Sequence, residues 1–215
     1  MYTYRKIPNN KWREKLIKIL LTDKPLYFMR IDTTGLDANK HNMIGISILK
    51  CEWEDGYLKK TGTYDSLIYT KAFITPFITE LTGITHAMVA KAPQINDVMN
   101  EVRSFLGKDA YIMAFNTQFL GSFVKQYNLP IALTFDLNIM SQALCGGKCG
   151  YKHLATKFNT NNPARIFEQL LEMYPKGIIQ TVKVSSVIYN GTDLIDEEGV
   201  LDEIDPDTLW DRKVM

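Results

Sequence analysis

A chain of 215 residues with 46% hydrophobic and 23% charged side chains is long enough to bury one conventional core, which excludes disorder as a description of the whole. Lys and Arg total 25 against 24 Asp and Glu, a net charge of +1, so the surface as a whole is no polyanion trap and any nucleic-acid contact has to be local. Cys51, Cys145 and Cys149 make no disulfide framework, no signal-peptide pattern opens the chain, and no apolar run reaches the roughly 20 residues of a membrane span; the expected setting is reducing and cytoplasmic.

Residues 9–22 have helical apolar spacing through Trp12, Leu16, Ile17, Ile19, Leu20 and Leu21, with Asn10 as N-cap. Residues 1–22 carry six Lys or Arg against the single acid Glu14, which reads either as a solvated helix face or as a contact for phosphate or an acidic partner. Strands are expected at 26–32, 43–53 and 57–69, the last two joined by the turn Glu54-Asp55-Gly56. A long helix follows through Ile95, Val98, Met99, Val102, Phe105 and Leu106, closed by Gly107, then a short apolar strand at 110–114. Helical spacing returns at Phe119, Leu120, Phe123, Val124 and Tyr127, and again at 139–144 with Asp136 as its cap. Asn162 and Pro163 open a last helix that Pro175 and Gly177 stop. Three strands followed by alternating helices and strands imply an α/β fold, a mixed sheet covered by helices with the antiparallel hairpin at one side. Residues 191–211 hold nine acids and no base, the composition of a solvated tail or of a peptide that docks on a basic surface.

The segment Arg30-Ile31-Asp32-Thr33-Thr34-Gly35-Leu36 resembles D-x-E-T-T-G-L, the first motif of the DEDD-type 3′-5′ exonucleases, the family of the proofreading epsilon subunit of bacterial DNA polymerase III. Ile78 to Thr85 is similar to that family's I-x-x-L-T-G-I-T segment, Ala114 to Leu120 to its A-H-N-A-x-F-D, and Gly150 to Phe158 to its S-Y-K-L-x-x-L-A-x-x-F. The four segments stand in the family's order over about residues 25–174. The resemblance implies a ribonuclease H-like fold with a mixed five-stranded sheet. On that basis residues 25–175 form the exonuclease-like domain, 1–24 a basic helical extension, and 176–215 a C-terminal strand and acidic tail.

The family's chemistry cuts a phosphodiester with water activated on one of two divalent ions that sit about 4 Å apart. Four carboxylates hold the ions, and a histidine commonly serves as general base. The D-x-E spacing works because residues i and i+2 of a strand project from one face, roughly 6 to 7 Å apart. In this chain the alignment puts Arg30 in place of the first Asp and Asp32 in place of the Glu. Leu120 stands where the second motif closes with Asp, and Phe115 where it has His. The third motif, H-x-x-x-x-D, has no room, because Asn159-Thr160-Asn161-Asn162 alone separate Phe158 from Pro163. An alignment that takes Asp32 as the first Asp, with two residues lost before Thr33, still leaves one acid. His41, His86 and His153 fall outside the base position and read as surface or turn residues.

A single carboxylate beside a guanidinium has no field to concentrate two dications, so little metal-dependent hydrolysis and no cofactor are expected. Arg30 either binds a phosphate directly or pairs with Asp32 on the same strand face. Thr33, Thr34, Gly35, Phe115 and Asn116, with Arg30 and Asp32, match the family's nucleotide cradle, although turns and caps call for the same residue types. Phe119 lies on the core-facing stripe, and Cys145 and Cys149 have a spacing that chelates zinc but lack a second pair. Three functions follow. The leading one is a non-catalytic module of the exonuclease fold that binds a nucleic-acid 3′ end or a replication partner. The second is an active exonuclease using Mg²⁺ or Mn²⁺, with acids supplied by the tail or another subunit, and the third a structural adaptor.

Overall fold

The computed structural model describes residues 10–145 and 150–173, with side chains for all but 10–13 and 143–145. A five-stranded mixed sheet runs in the order β3-β2-β1-β4-β5, where β1 is Leu26–Thr33, β2 Met43–Glu54, β3 Tyr57–Leu67, β4 Ala110–Ala114 and β5 Ile131–Asp136. The fold is the ribonuclease H-like α/β arrangement that the sequence implies. β1 sits at its centre, antiparallel to β2 and parallel to β4, and β4 runs parallel to β5. Asp55 and Gly56 both take positive φ, 51° and 78°, the turn geometry that matches the twist of a tight hairpin and links β2 to β3.

The helices are α1 (Asn10–Leu21), α2 (Pro76–Thr82), α3 (His86–Val89), α4 (Ile95–Leu106), α5 (Thr117–Val124), α6 (Leu137–Cys145), α7 (Tyr151–Lys157) and α8 (Pro163–Glu172). Five of them, α1, α4, α5, α6 and α8, were legible as apolar spacing, with small shifts of boundary. Asn10 is the first residue of α1 rather than the residue before it, β3 stops at Leu67, and the helix expected through Tyr127 ends at Val124 and tightens into a 3-10 turn over Lys125–Tyr127. α2 and α3 are seven and four residues long, too short to show a helical period. Their ends carry the signal instead: Thr75 and Thr85 accept hydrogen bonds from the amides of Ile78 and Met88, and Pro76 occupies the first turn of α2. β5 alternates, with Leu133 and Phe135 buried, but six residues between two helical patterns give too little period to separate strand from loop.

Two compact units interleave along the chain: 24–52 with 60–139, and 53–59 with 1–23 and 140 onward. In the first, Tyr27, Met29 and Ile31 of β1 form one apolar cluster with Val98, Met99 and Val102 of α4 and Leu120, Phe123 and Val124 of α5. Each such side chain contributes roughly 1.5–3 kcal/mol relative to exposure. A smaller cluster of Ile44, Ile74, Ile78, Ile84 and Val89 anchors α2 and α3. In the second unit the hairpin tip is held from two sides, Trp53 Nε1 donating to the Ile19 carbonyl at 3.0 Å and the Leu58 amide to Glu168 Oε1 at 2.6 Å. Arg165 pairs with that same carboxylate at 2.7 Å. Among the described residues no helix is long and apolar enough to cross a membrane. The expected C-terminal strand and acidic tail, together with Cys149 and the side chain of Cys145, lie outside the described residues.

Candidate functional site

β1 brings Arg30 and Asp32 to one face of the sheet by strand alternation, opposite to the face that Met29 and Ile31 bury. Arg30 Nη2 donates to both carboxylate oxygens of Asp32, at 3.1 and 2.9 Å. The guanidinium side chain is 59% exposed while that of Asp32 is 16% exposed. The carboxylate lies under its partner. Across the sheet Asp32 registers with Gly45 of β2, and a Cβ at Gly45 would stand 3.5 Å from Asp32 Oδ2 and 3.2 Å from Ile84 Cδ1. A Cβ there would crowd Ile84 and lie in ordinary contact with Asp32. The sequence signalled none of this, since a glycine inside a strand shows its reason only when its cross-strand neighbour is known.

The register of β1 and β2 shifts between Asp32 and Thr33, and this irregularity turns the chain into the Thr33-Thr34-Gly35 segment. Both threonines are 8% exposed. Thr33 Oγ1 donates to the Gly35 carbonyl at 2.7 Å, and Thr34 Oγ1 accepts from the Asn42 amide at 3.0 Å. The Thr34 amide in turn reaches the Asn42 carbonyl at 2.9 Å. The hydroxyls therefore hold the turn closed on the start of β2. Gly35 accommodates His41: a Cβ there would meet the imidazole ring at 2.5 to 2.6 Å, and His41 Nδ1 lies 3.4 Å from Thr34 Oγ1. His41 is thus half-buried against the turn.

Phe115, Asn116 and Leu120 come from the junction of β4 and α5. Asn116 takes a left-handed conformation, φ 68°, and its side chain accepts from the Phe119 amide at 2.9 Å, so it caps α5. Leu120 is 4% exposed and packs with Met29 and Ile31, away from the Arg30 and Asp32 face. Phe115 and Phe119 are half-buried, Phe119 less deeply than its place on the apolar stripe suggests. Asp136, at the end of β5, accepts from the amides of Asn138 and Ile139 at the start of α6, as a cap does. The same carboxylate also accepts from the amides of Asn116 and Thr117 and from the Thr117 hydroxyl, at 3.3, 2.6 and 3.0 Å. One side chain thereby fixes the starts of two helices, a second duty that the sequence did not reveal.

A two-cation centre needs several carboxylate or other oxygen donors gathered at one place. Near the β1 face the described side chains supply the Asp32 carboxylate, already paired, and a guanidinium that repels cations. Asp136 spends both oxygens on helix amides. Among the described residues no three His, Cys, Asp or Glu side chains gather as a metal ion needs. This donor set does not fit a pair of divalent ions.

The sequence pattern of the RNase T exonucleases matches residues 31–180. The chain belongs to that exonuclease family. Among relatives, DNA polymerase III subunit epsilon of Aquifex aeolicus is 31% identical over 110 residues, which are 50% of this chain and 52% of that one. The 3′-5′ exonuclease DinG of Staphylococcus haemolyticus is 35% identical over 98 residues, 45% of this chain and 10% of the relative. The chain thus spans about half the length of the epsilon subunit and a small part of DinG. In fold it is similar to Exonuclease X solved in complex with 5′ overhanging duplex DNA, with a TM-score of 0.51 and 23% identity over 73% of this chain and 92% of the other. It is similar as well to E. coli Exonuclease I in complex with an oligonucleotide, TM-score 0.54 and 11% identity over 74% and 40% of the two chains. These two solved structures share the α/β fold with this chain.

Proposed function

We propose that this exonuclease-family domain is a non-catalytic module that grips the 3′ end of a nucleic-acid strand, with Arg30 contacting its terminal phosphate. The observation that carries the reading is the Arg30 and Asp32 pair. Where hydrolysis calls for two carboxylates on one strand face, this face has one carboxylate covered by a cation, and the pair has no net charge. Only Nη2 of the guanidinium is engaged by Asp32. Nε and Nη1 make no hydrogen bond among the described residues, so the exposed fork keeps donors for a phosphate. The DNA-bound Exonuclease X and the epsilon name of the Aquifex relative support a strand end as ligand and a replication setting. No Mg²⁺ or Mn²⁺ is needed for this role.

Two measurements on the full chain test it. Calorimetric titration with Mn²⁺ is expected to give no heat of paired binding, and a 3′-labelled oligonucleotide is expected to stay intact. Binding of the same oligonucleotide is expected to weaken with salt and to drop in Arg30→Ala. Two tightly bound Mn²⁺ per chain, together with shortening that Asp32→Ala abolishes, would refute the reading in favour of an active enzyme using acids from residues 193–198 or a second subunit. Absence of any salt-dependent binding would leave a structural adaptor or a protein-docking module.

A further inference from the structure

The first unit contains a cavity of about 480 Å³ that the strand-end reading does not use. It lies between the segment leading into β2, the exit of β3 and the 3-10 turn after α5, and its lining includes His41, Asn42, Tyr69, Lys71, Gln126 and Tyr127. Such a volume is within the range of small-molecule sites. No Asp or Glu lines it. Lys71 is exposed and makes no ion pair among the described residues. The hydroxyls of Tyr69 and Tyr127 make no hydrogen bond among the described residues. Burial raises the Tyr127 hydroxyl above its ordinary range, which keeps it a neutral donor at physiological pH. Asn42 is fixed by its Nδ2 donating to Thr70 Oγ1 at 2.9 Å, which leaves its amide oxygen without a partner. A wall of aromatic rings, amides and one free ammonium, with no acid, has the chemistry that receives a base by stacking and a phosphate by charge.

We infer that this cavity is a mononucleotide subsite, in which the rings of Tyr69 and Tyr127 face the base and the Lys71 ammonium and His41 imidazole meet the phosphate. His41 ties the subsite to the turn after β1, because its ring rests on Gly35 and its Nδ1 lies 3.4 Å from Thr34 Oγ1. The inference goes beyond the Arg30 reading and stands apart from it, since neither Arg30 nor Asp32 lines the cavity. The shared chemistry is a nucleoside monophosphate, met either free or as one unit of a strand.

Isothermal titration of the full chain with deoxyadenosine monophosphate, with adenosine and with inorganic phosphate tests it. Saturable one-to-one binding of the monophosphate is expected, weakened by about tenfold or more in Lys71→Ala, the size of one lost charge-assisted bond. Failure here is read from the monophosphate and Lys71→Ala, and failure of the strand-end proposal from the oligonucleotide and Arg30→Ala, so the two are distinguished. Competition by a ten-residue deoxyoligonucleotide that also loses affinity in Lys71→Ala assigns the subsite to a strand, and absence of competition assigns it to the free nucleotide. No saturation up to about 10 mM monophosphate, or identical titrations for wild type, Lys71→Ala and Tyr127→Ala, overturns the inference.

Discussion

Asp136 is the residue whose removal most directly tests how the site is held. Its carboxylate serves four backbone amides, those of Asn116, Thr117, Asn138 and Ile139, and the Thr117 hydroxyl, at distances from 2.6 to 3.3 Å. Asp136→Ala removes the cap of α6, which costs about 1 kcal/mol. It also removes two short bonds to Thr117, whose charged acceptor makes each worth about 1 kcal/mol or more. The site is half-buried, so water reaches some of the freed amides and the sum comes to about 2–4 kcal/mol. For a chain of this size that corresponds to a fall in Tm of about 4–16 °C. Asp136→Asn keeps a good cap and loses mainly the charge, so it is expected to cost about 1 kcal/mol. Urea unfolding followed by far-UV circular dichroism, extrapolated to water, measures both variants, and a double-mutant cycle with Thr117→Ala isolates the cross-element bond. A loss below about 0.5 kcal/mol for Asp136→Ala, or equal losses for Ala and Asn, would refute the argument that this carboxylate clamps two helix starts.

Three further expectations concern neighbouring features. Because the Arg30 side chain is 59% exposed, Arg30→Ala is expected to lower stability by less than about 1 kcal/mol, measured by the same unfolding; a larger loss would mean that the pair is structural rather than available to a ligand. Gly35→Ala places a Cβ at 2.5 to 2.6 Å from the His41 ring and is expected to cost about 1–3 kcal/mol as overpacking, with most of it recovered in Gly35→Ala/His41→Ala; failure of that rescue would place the strain in the backbone. Burial, with the hydrogen bond to Glu101, pushes the Tyr64 hydroxyl up to about 12 from 10.0. A folded-state value above the unfolded one means that the unfolded chain releases this proton first as pH rises, so stability is unaffected below pH 10 and falls between pH 10 and about 12. Thermal melts across that window should show a shallower fall for Tyr64→Phe, and parallel curves would reject the assignment.

Much of the fold was written locally. The apolar stripe of α4 through Val98, Met99 and Val102, the Ile-rich β2 and the Asn162-Pro163 start of α8 are set by residues within a few positions of one another, so periodicity and caps sufficed to place them. The pairing of Arg30 with Asp32 was legible for the same reason, because residues two apart on a strand share one face. Pairings between distant residues were not legible. That Asp32 faces Gly45 and Ile84, that His41 folds back on Gly35, that Asp136 reaches Thr117, and that Tyr69, Lys71 and Tyr127 share a cavity all depend on strand register and on the packing of α5. Those are fixed by the burial of the whole apolar cluster, not by any segment alone. The sequence thus determined which chemical groups the chain owns, and the tertiary structure decided which of them meet.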